Sequence, residues 1–459
     1  MINFKNIKYT SGWRVLCLIF TIVFQGCHGE FLDIKPDKAL VVPETLKDIE
    51  GILNNSSVMN AANNGYTSIL ISDDYYMNNQ TWKAVPILSQ KKAYAWDNTM
   101  FTEDIDCHDW KRPYQQVFYA NFALEQLEKI KVSTDADKKK KLILRASALF
   151  YRATAFLHLA QLYAKPYNEN TSKTDLGIVL RLESDILVPS QRSSVEETYN
   201  QILLDLEEAS VDLPEEVDLV MKPSLYACYG MMARVYLLMK KYELALSFAQ
   251  KILDVKNDIL DFKSLNASDR FPFLRYNKEV IFQQSMLNAS NVLAAPSQKV
   301  SQDLLSLYET GDLRRELFYI QNPDGTFSFR GSYDNAVTLF NGITTSEIIL
   351  IKAECLARLD KPQLALNEIN HLAQYRFAEH ESIKQEQDVL DIVLEERRRE
   401  LAFRGLRWWD MRRLKDDPFY EIEYIREVDG NIIHLEKELP DFTLPIPDLI
   451  IQLSNIKQN

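Results

Sequence analysis

Seven arginines and two adjacent tryptophans fall within twenty residues near the C-terminus, EERRRELAFRGLRWWDMRRL, Glu395 to Leu414. Guanidinium groups beside flat rings are the equipment of a single-strand nucleic-acid binder, where charge meets phosphate and rings stack on bases. They also suit a basic helix lying on a membrane surface. The charge balance argues against a polyanion. The 459 residues carry 53 Lys and Arg against 65 Asp and Glu, a formal charge of −12, whereas polyanion binders concentrate positive charge. Inside the stretch, Glu395, Glu396, Glu400 and Asp410 interrupt the arginines. Nucleic acid is not an expected partner.

A second dense stretch mixes aromatic and amide side chains. Tyr75, Tyr76, Trp82, Tyr94, Trp96 and Trp110 lie within 36 residues, with Asn78, Asn79, Asp97 and Asn98 between them. Catalytic spacing is missing: the chain has no GxSxG, HExxH, GxGxxG or Walker pattern, and its six histidines are scattered. EDIDCHD, Glu103 to Asp109, clusters acids that could hold Ca²⁺, but it lacks the glycine and terminal glutamate of an EF-hand loop. No metal is expected. A glycosidase needs only two carboxylates about 5–9.5 Å apart. With 65 acids, an all-helical glycoside hydrolase remains an enzyme alternative. Cysteines are few and scattered, at 17, 27, 107, 228 and 355, with no CxxC, so this is no disulfide scaffold. Cys228 and Cys355 sit in apolar helical runs and read as small core residues.

The first 26 residues hold Lys5, Lys8 and Arg14 and no acid, followed by the ten-residue apolar run VLCLIFTIVF. That run is too short to span a membrane and right for a signal sequence. FQGC, ending at Cys27, resembles a bacterial lipobox, with Phe24 where leucine is usual and Gln25 where a small residue is common. Residues 1–26 are therefore expected to be a lipoprotein signal peptide, Cys27 the lipidated residue and 27–42 an anchored tether. Acyl chains hold a protein to a membrane at ~0.8 kcal/mol per buried CH₂. The other reading is an ordinary secretory signal with Cys27 incidental. Cut before Cys27, the chain would carry 50 basic against 65 acidic residues, about −15.

The elements that must position these residues are mostly helical. PETLKDIEGILNN, Pro43 to Asn55, opens a helix with early acids. From Pro113, Tyr114, Val117, Phe118, Asn121, Leu124 and Leu127 recur at threes and fours. Lys141 to Tyr163 continues in helical period. Val195 to Leu213 is a helix with Ser194 as its N-cap and Pro214 as its stop. Two later segments share an Ala-x₁₁-Ala spacing, Ala233 with Ala245 and Ala353 with Ala365. Small residues at that offset let two antiparallel helices close on each other, as in tetratricopeptide repeats. The spacing predicts a mainly α domain over 43–459 with about four such helix pairs, the earlier ones near 113–163 and 195–240. Two irregular insertions, about 56–112 and 256–343, carry minor β-structure, including an apolar IFQQSM strand and a tight turn at Asp324-Gly325. Loops on a rigid scaffold commonly carry binding.

In order along the chain, these segments resemble the SusD/RagB family of outer-membrane nutrient-binding lipoproteins. The resemblance runs over most of 27–459: FLDIKP after the lipobox cysteine, LISDDYY, RASALFYRATAFLHLAQLYAKPY with LGIVLR, RSSVEETYNQILLDLEEASVDLP, TSEIILIKAECLAR and ALNEINHLAQYRF. It continues through the arginine-rich stretch, matching Arg-Glu-Leu-x-Phe-x-Gly-x-Arg-x-x-Asp-x-x-Arg, and ends at TLPIPDLIIQLSN. Ala164 and Lys165 depart from the family's glycine pattern.

The resemblance implies a cell-surface lipoprotein, tied to outer-membrane lipid through Cys27 and facing outside. It would capture oligosaccharides or, in one branch, oligopeptides for a SusC-like TonB-dependent transporter, without catalysis or cofactor. A pure protein-interaction scaffold is a further alternative. The resemblance also makes the arginine-rich stretch structural, and its own spacing agrees: one helix with Leu394, Leu401, Gly405 and Trp408 on one side at seven, four and three, arginines and acids in surface pairs, and Arg404 or Arg407 reaching inward. Sugar rings present flat C–H faces to Trp and Tyr, and hydroxyls to amide, carboxylate and guanidinium groups. The candidate ligand residues are then Asp73, Asp74, Tyr75, Tyr76, Asn78, Trp82, Trp96, Asn98 and Trp110 from the first insertion. The second offers Arg275, Tyr276 and Tyr333, with Phe327, Phe329 and Arg330 nearby. Asp73-Asp74 suits a structural cap equally well. The acidic net charge disfavours a highly anionic glycan.

Overall fold

At Thr45 the chain enters its first helix for a local reason. The Thr45 hydroxyl accepts from the Asp48 amide while the Asp48 carboxylate accepts from the Thr45 amide, a reciprocal cap. The computed structural model describes residues 43–60, 65–102, 107–286, 292–293, 297–384, 388–420 and 422–459. The signal segment 1–26, Cys27, the tether 27–42 and most of the acidic loop 103–109 lie outside the described residues.

Among the described residues, ten principal helices build one compact unit over Thr45–Asn459. They are α1 (Leu46–Leu53), α2 (His108–Lys129), α3 (Asp135–Tyr163), α4 (Val195–Asp212), α5 (Leu225–Leu238), α6 (Tyr242–Leu253), α7 (Thr345–Arg358), α8 (Pro362–Ala373), α9 (Val389–Glu400) and α10 (Leu406–Arg413). Side-chain caps start several of them: Thr134 for α3, Ser194 with Glu197 for α4, Ser224 for α5 and Thr344 for α7. α3 is buried all round from Ala146 to Tyr163, so it is the central rod. Packing runs α2 on α3, α3 on α4, α5 on α6, α6 on α7 and α7 on α8.

The alanine spacing marks real helix crossings. Ala233, Ala245, Ala353 and Ala365 are all fully buried, in the hairpins α5/α6 and α7/α8. Two boundaries differ from expectation. α2 starts at His108 and carries Pro113 within it, and α3 starts at Asp135, capped by Thr134. The pair expected near 195–240 is α4 with α5, and α5 also closes on α6, so one helix serves two neighbours.

The arginine-rich stretch is two helices, not one. The chain breaks between α9 and α10, where Phe403 and Gly405 take positive φ (57° and 76°). Gly405 thus caps α10 from the left-handed region, which costs glycine little. Its arginines make buried pairs rather than surface ones. Arg397 and Arg413 hold Asp410, Arg413 also holds Glu354, and Arg399 holds Glu396. Glu396 and Glu400 meet Arg314, which is 0% exposed and also binds Asp312 at 2.8 Å. Arg376 bridges Glu400 and Glu279 at 2.8 and 2.6 Å. Burial opposes ionisation of Glu396, but Arg314 and Arg399 outweigh it and hold its pKa down at about 2.

Among the described residues, strands occur as five antiparallel pairs. β4 (Val280–Phe282) with β8 (Ile343–Thr344) ties the start of α7 to the second insertion; a Cβ at Gly342 would strike the Phe282 carbonyl. β6 (Tyr319–Gln321) and β7 (Phe327–Phe329) form a hairpin whose turn includes Asp324-Gly325, with Gly325 at φ +81°. β2 (Leu176–Val179) pairs β3 (Arg192–Ser194), and β9 (Ile425–Val428) pairs β10 (Asn431–His434). The remaining pair, β1 (Tyr75–Tyr76) with β5 (Lys299–Val300), joins the first insertion to the second.

Candidate ligand-binding site

The segment Ser72–Tyr76 is fixed from behind by the arginine-rich helices. Asp73 accepts from Arg407 at 2.6 and 2.8 Å and from Arg398 at 3.0 Å. Burial alone would favour its neutral form, yet Arg398 and Arg407 hold its carboxyl well below the usual range. Asp74 is almost closed to solvent. Burial pushes its pKa up to about 6, and the neighbouring Asp73 charge adds to the rise. Tyr75 is 2% exposed and donates to the Leu70 carbonyl. Strand alternation then turns Tyr76 the other way, and it is half-buried.

β5 receives this strand, with Tyr76 opposite Lys299 and the Ser301 amide donating to the Asp74 carbonyl at 2.9 Å. Lys299 Nζ reaches Asp324 at 2.7 Å and the Thr326 hydroxyl at 2.8 Å, both in the β6–β7 turn. Phe327, half-buried, lies 4.2 Å beneath the Arg315 guanidinium, whose Nη1 makes no hydrogen bond. Two partly open rings, a lysine, an arginine and a carboxylate thus gather where the insertions meet. Rings can stack on flat apolar faces, and the charged groups can bond to hydroxyls or carboxylates.

Next along the first insertion, Asn78 caps the short helix Asn79–Lys83 by accepting from the Thr81 amide. Trp82 in that helix is half-buried, donates to the Lys91 carbonyl at 3.0 Å and has Lys91 Nζ 4.5 Å from its ring. Asn98 is exposed on the wall of a groove of about 480 Å³ that also includes Lys165 and Asp441.

Four of the candidate rings are buried, and of these only Trp110 borders a groove. Trp96 is 0% exposed and donates to the Ile71 carbonyl at 2.8 Å. Trp110 packs against Tyr114 and Tyr163, each with ring centroids 5.0 Å away. Tyr75 lies in the core, and Tyr333 stacks on Phe273 at 4.8 Å and donates to Glu279. Core atoms cover Trp96, Tyr75 and Tyr333 and most of Trp110, so this structure gives them packing work. Arg275 pairs with Asp334 at 2.9 Å and stacks on Tyr276, which is 40% exposed and reaches the Met221 thioether. Arg330 is held by three carbonyls, of Asp269, Ala267 and Glu316.

Lys299, Arg315, Asp324 and Thr326 were not singled out by residue type. The Asp324-Gly325 turn was the available signal, since a hairpin turn projects its polar residues.

A second groove, about 370 Å³, runs beside α2 and touches Trp110. Its floor is Val117, Val179, Ile450 and Leu453. Two of its polar side chains are engaged: Arg181 donates to Val188 and Ser190, and Asn121 donates to the Arg181 and Glu183 carbonyls. Among the described residues no cluster of three or more His, Cys, Asp or Glu is placed to hold a metal, and Asp109 of the acidic loop is engaged by Thr67. No helix among them is long and apolar enough to cross a membrane.

Two family models match the chain. One, described as starch-binding associating with outer membrane, matches residues 30–237. The other, the SusD family, matches residues 340–454. Among solved structures, a SusD superfamily protein from Bacteroides thetaiotaomicron VPI-5482 is similar, with 19% identity, a TM-score of 0.72, and coverage of 90% of this chain and 99% of that one. A SusD-like carbohydrate binding protein from Bacteroides vulgatus ATCC 8482 gives 20%, 0.66, 90% and 97%. A laminarin binding SusD-like protein gives 17%, 0.63, 90% and 98%. At these identities the structures establish a shared fold. No curated protein matches the chain.

Proposed function

The chain belongs to the SusD/RagB family, and from that premise we propose that the junction of its two insertions captures an oligosaccharide at the cell surface. Members of this family bind rather than catalyse, and the name of the first family model points to the outer membrane. A carbohydrate ligand agrees with that name and with the printed names of two structural neighbours. The observation that carries the site is the β1–β5 pairing, which sets Tyr76 beside Lys299 and the Asp324 turn. Half-buried Tyr76, Phe327 and Trp82 would stack on sugar faces. Asp324, Arg315 and Asn78 would bond to hydroxyls, with buried Lys299 holding the Asp324 turn in place. Exposed Asn98 and the Arg275–Tyr276 pair are candidates for an extended ligand.

In this reading the protein is lipid-anchored at Cys27 and hands its ligand to a SusC-like TonB-dependent transporter that the helical scaffold meets. An oligopeptide is the second reading, favoured by the charged groups of opposite sign at the junction, which would hold peptide side chains or termini. The test is calorimetry of protein beginning at residue 28 against neutral glycans, acidic glycans and mixed oligopeptides, with the glycans recovered and sized afterwards. Glycan binding with intact glycan supports the proposal. Binding only to peptide selects the second reading, and cleaved glycan would point to a hydrolase.

A further inference from the structure

One face of α2 grips a loop and leaves a phenylalanine of that face partly bare. Tyr114, Phe118, Asn121 and Glu125 follow at four, three and four, so they share a face. The Tyr114 hydroxyl donates to the Val179 carbonyl at 3.0 Å and accepts from the Val179 amide at 3.2 Å. Asn121 donates to the Arg181 and Glu183 carbonyls at 2.9 and 3.1 Å. Glu125 accepts from the Ser184 amide and hydroxyl at 2.6 and 2.5 Å. Asn121 is itself aimed by Arg152, which donates to its Oδ1 at 2.9 Å while paired with buried Asp205. Arg181 closes the loop from within, through the Val188 carbonyl and the Ser190 hydroxyl. Phe118, on the same face as these contacts, remains 39% exposed.

The loop so held presents aliphatic side chains to water. Ile186 and Leu187 at its tip are 78% and 84% exposed, and the Leu187 amide donates to Asp185 Oδ1 at 2.8 Å. On the helix Asp448–Ser454, Leu453 is 75% exposed. The groove of about 370 Å³ is lined by Phe118, Ile186 and Leu453 together with Trp110 and Tyr114. Single exposed aliphatics are ordinary on a protein surface, but several around one concave site mark a place of contact. The charge at its rim is one-sided. Glu183 and Asp185 are exposed, and neither forms an ion pair among the described residues. Arg181, the lining arginine, is turned to the loop's own oxygens. A second copy of the chain would set the same acids against each other, and an anionic membrane surface would repel them.

We propose that this surface docks a partner protein through a short segment whose leucine- or phenylalanine-sized side chains are flanked by lysine or arginine. The apolar side chains would fill the groove against Trp110, Phe118 and Leu453, covering Ile186, and the flanking cations would meet Glu183 and Asp185. None of Tyr76, Lys299, Asp324 or Phe327 lines the groove, so docking here is independent of what the junction of the insertions captures.

The probe is a blocked peptide amide, Lys-Gly-Leu-Phe-Leu-Gly-Lys, titrated by calorimetry into the chain from residue 28. Beside it runs the same peptide with Glu in place of each Lys. The lysine peptide should bind at least about tenfold more tightly, and the gap should shrink at high salt. Ile186→Ser and Leu453→Ser change exposed side chains, so melting should stay close to the wild type. Each should weaken the lysine peptide about tenfold. Glu183→Lys with Asp185→Lys should reverse the preference between the peptides. Glycan affinity at the junction should be unchanged in all of these variants. Equal binding of the two peptides, binding of neither, or lysine-peptide affinity untouched by Ile186→Ser and Leu453→Ser would each overturn the proposal. So would a wild-type dimer in sedimentation that Ile186→Ser dissociates, which would give the surface to a second copy. Binding to phosphatidylglycerol vesicles that the same variant abolishes would overturn it in favour of a membrane.

Discussion

The arginine-rich stretch and the aromatic first insertion look like binding surfaces for the same reason: both concentrate residues that make contacts. The protein treats them differently. The arginines of 395–414 are nearly all buried, and all but Arg404, which donates to the Thr344 hydroxyl, are turned toward an acid or a carbonyl. The aromatics of the first insertion divide, with Trp96, Trp110 and Tyr75 packed inward and Tyr76 and Trp82 left partly open. A concentration of charge signals a partner, and here that partner is the chain itself. A concentration of rings signals apolar cover, and only the residual exposure marks a surface that something else can use.

The comparison breaks most visibly at Arg376. Arg376→Ala would strand Glu279 as a buried charge without its cation and leave Glu400 to the Arg314 ion pair alone, with an expected loss of about 3–5 kcal/mol and a collapse of soluble yield; urea unfolding measures it. If stability is barely changed, the buried network is not the frame described. Trp96→Ala should cost a similar ~3–5 kcal/mol through the cavity it leaves. Trp82→Ala should cost about 1–2 kcal/mol yet weaken ligand binding at least tenfold, which melting and calorimetry on the same samples would separate.

Asp74 gives a smaller effect with a defined sign. Its pKa in the fold is raised to about 6 from an ordinary 3.8. The folded state therefore holds the proton more tightly than the unfolded chain, and this group costs stability progressively as pH rises between those values. Asp74→Asn removes that cost. Its stabilisation, about 1–3 kcal/mol, should be present at pH 7.5 and largely absent near pH 4, read from unfolding at the two pH values. Asp73 runs the other way: its depressed pKa adds stability that is lost only as pH falls below the ordinary carboxylate range. Smallest of all, Lys83→Ala, which removes an exposed pair with Asp429, should change stability by about 0.5 kcal/mol or less.

What could be read from the sequence was local. The Ala-x₁₁-Ala spacing, the Ser194 cap and the Asp324-Gly325 turn each encode their structure within a few residues, and each is found where expected. The break at Gly405 was hidden because apolar spacing at seven, four and three runs through it unchanged. The partners of the arginines were hidden for a different reason. Asp73 lies 334 residues before Arg407, and no periodicity connects them. The same holds for the β1–β5 pairing, which joins Tyr76 to Lys299 across most of the scaffold. Burial of Trp96 against exposure of Trp82 depends on which loop face the core reaches, which residue type does not encode.

The central claim is that the meeting of the insertions captures a carbohydrate. Its most direct test is titration of neutral glycans into wild type, Tyr76→Ala and Phe327→Ala from residue 28 onward, with melting curves recorded beside each. The expected result is one glycan class bound by the wild type and weakened at least tenfold in both variants while melting stays close to the wild type. Unchanged glycan affinity in both variants, or a wild type that binds peptides alone, would contradict it.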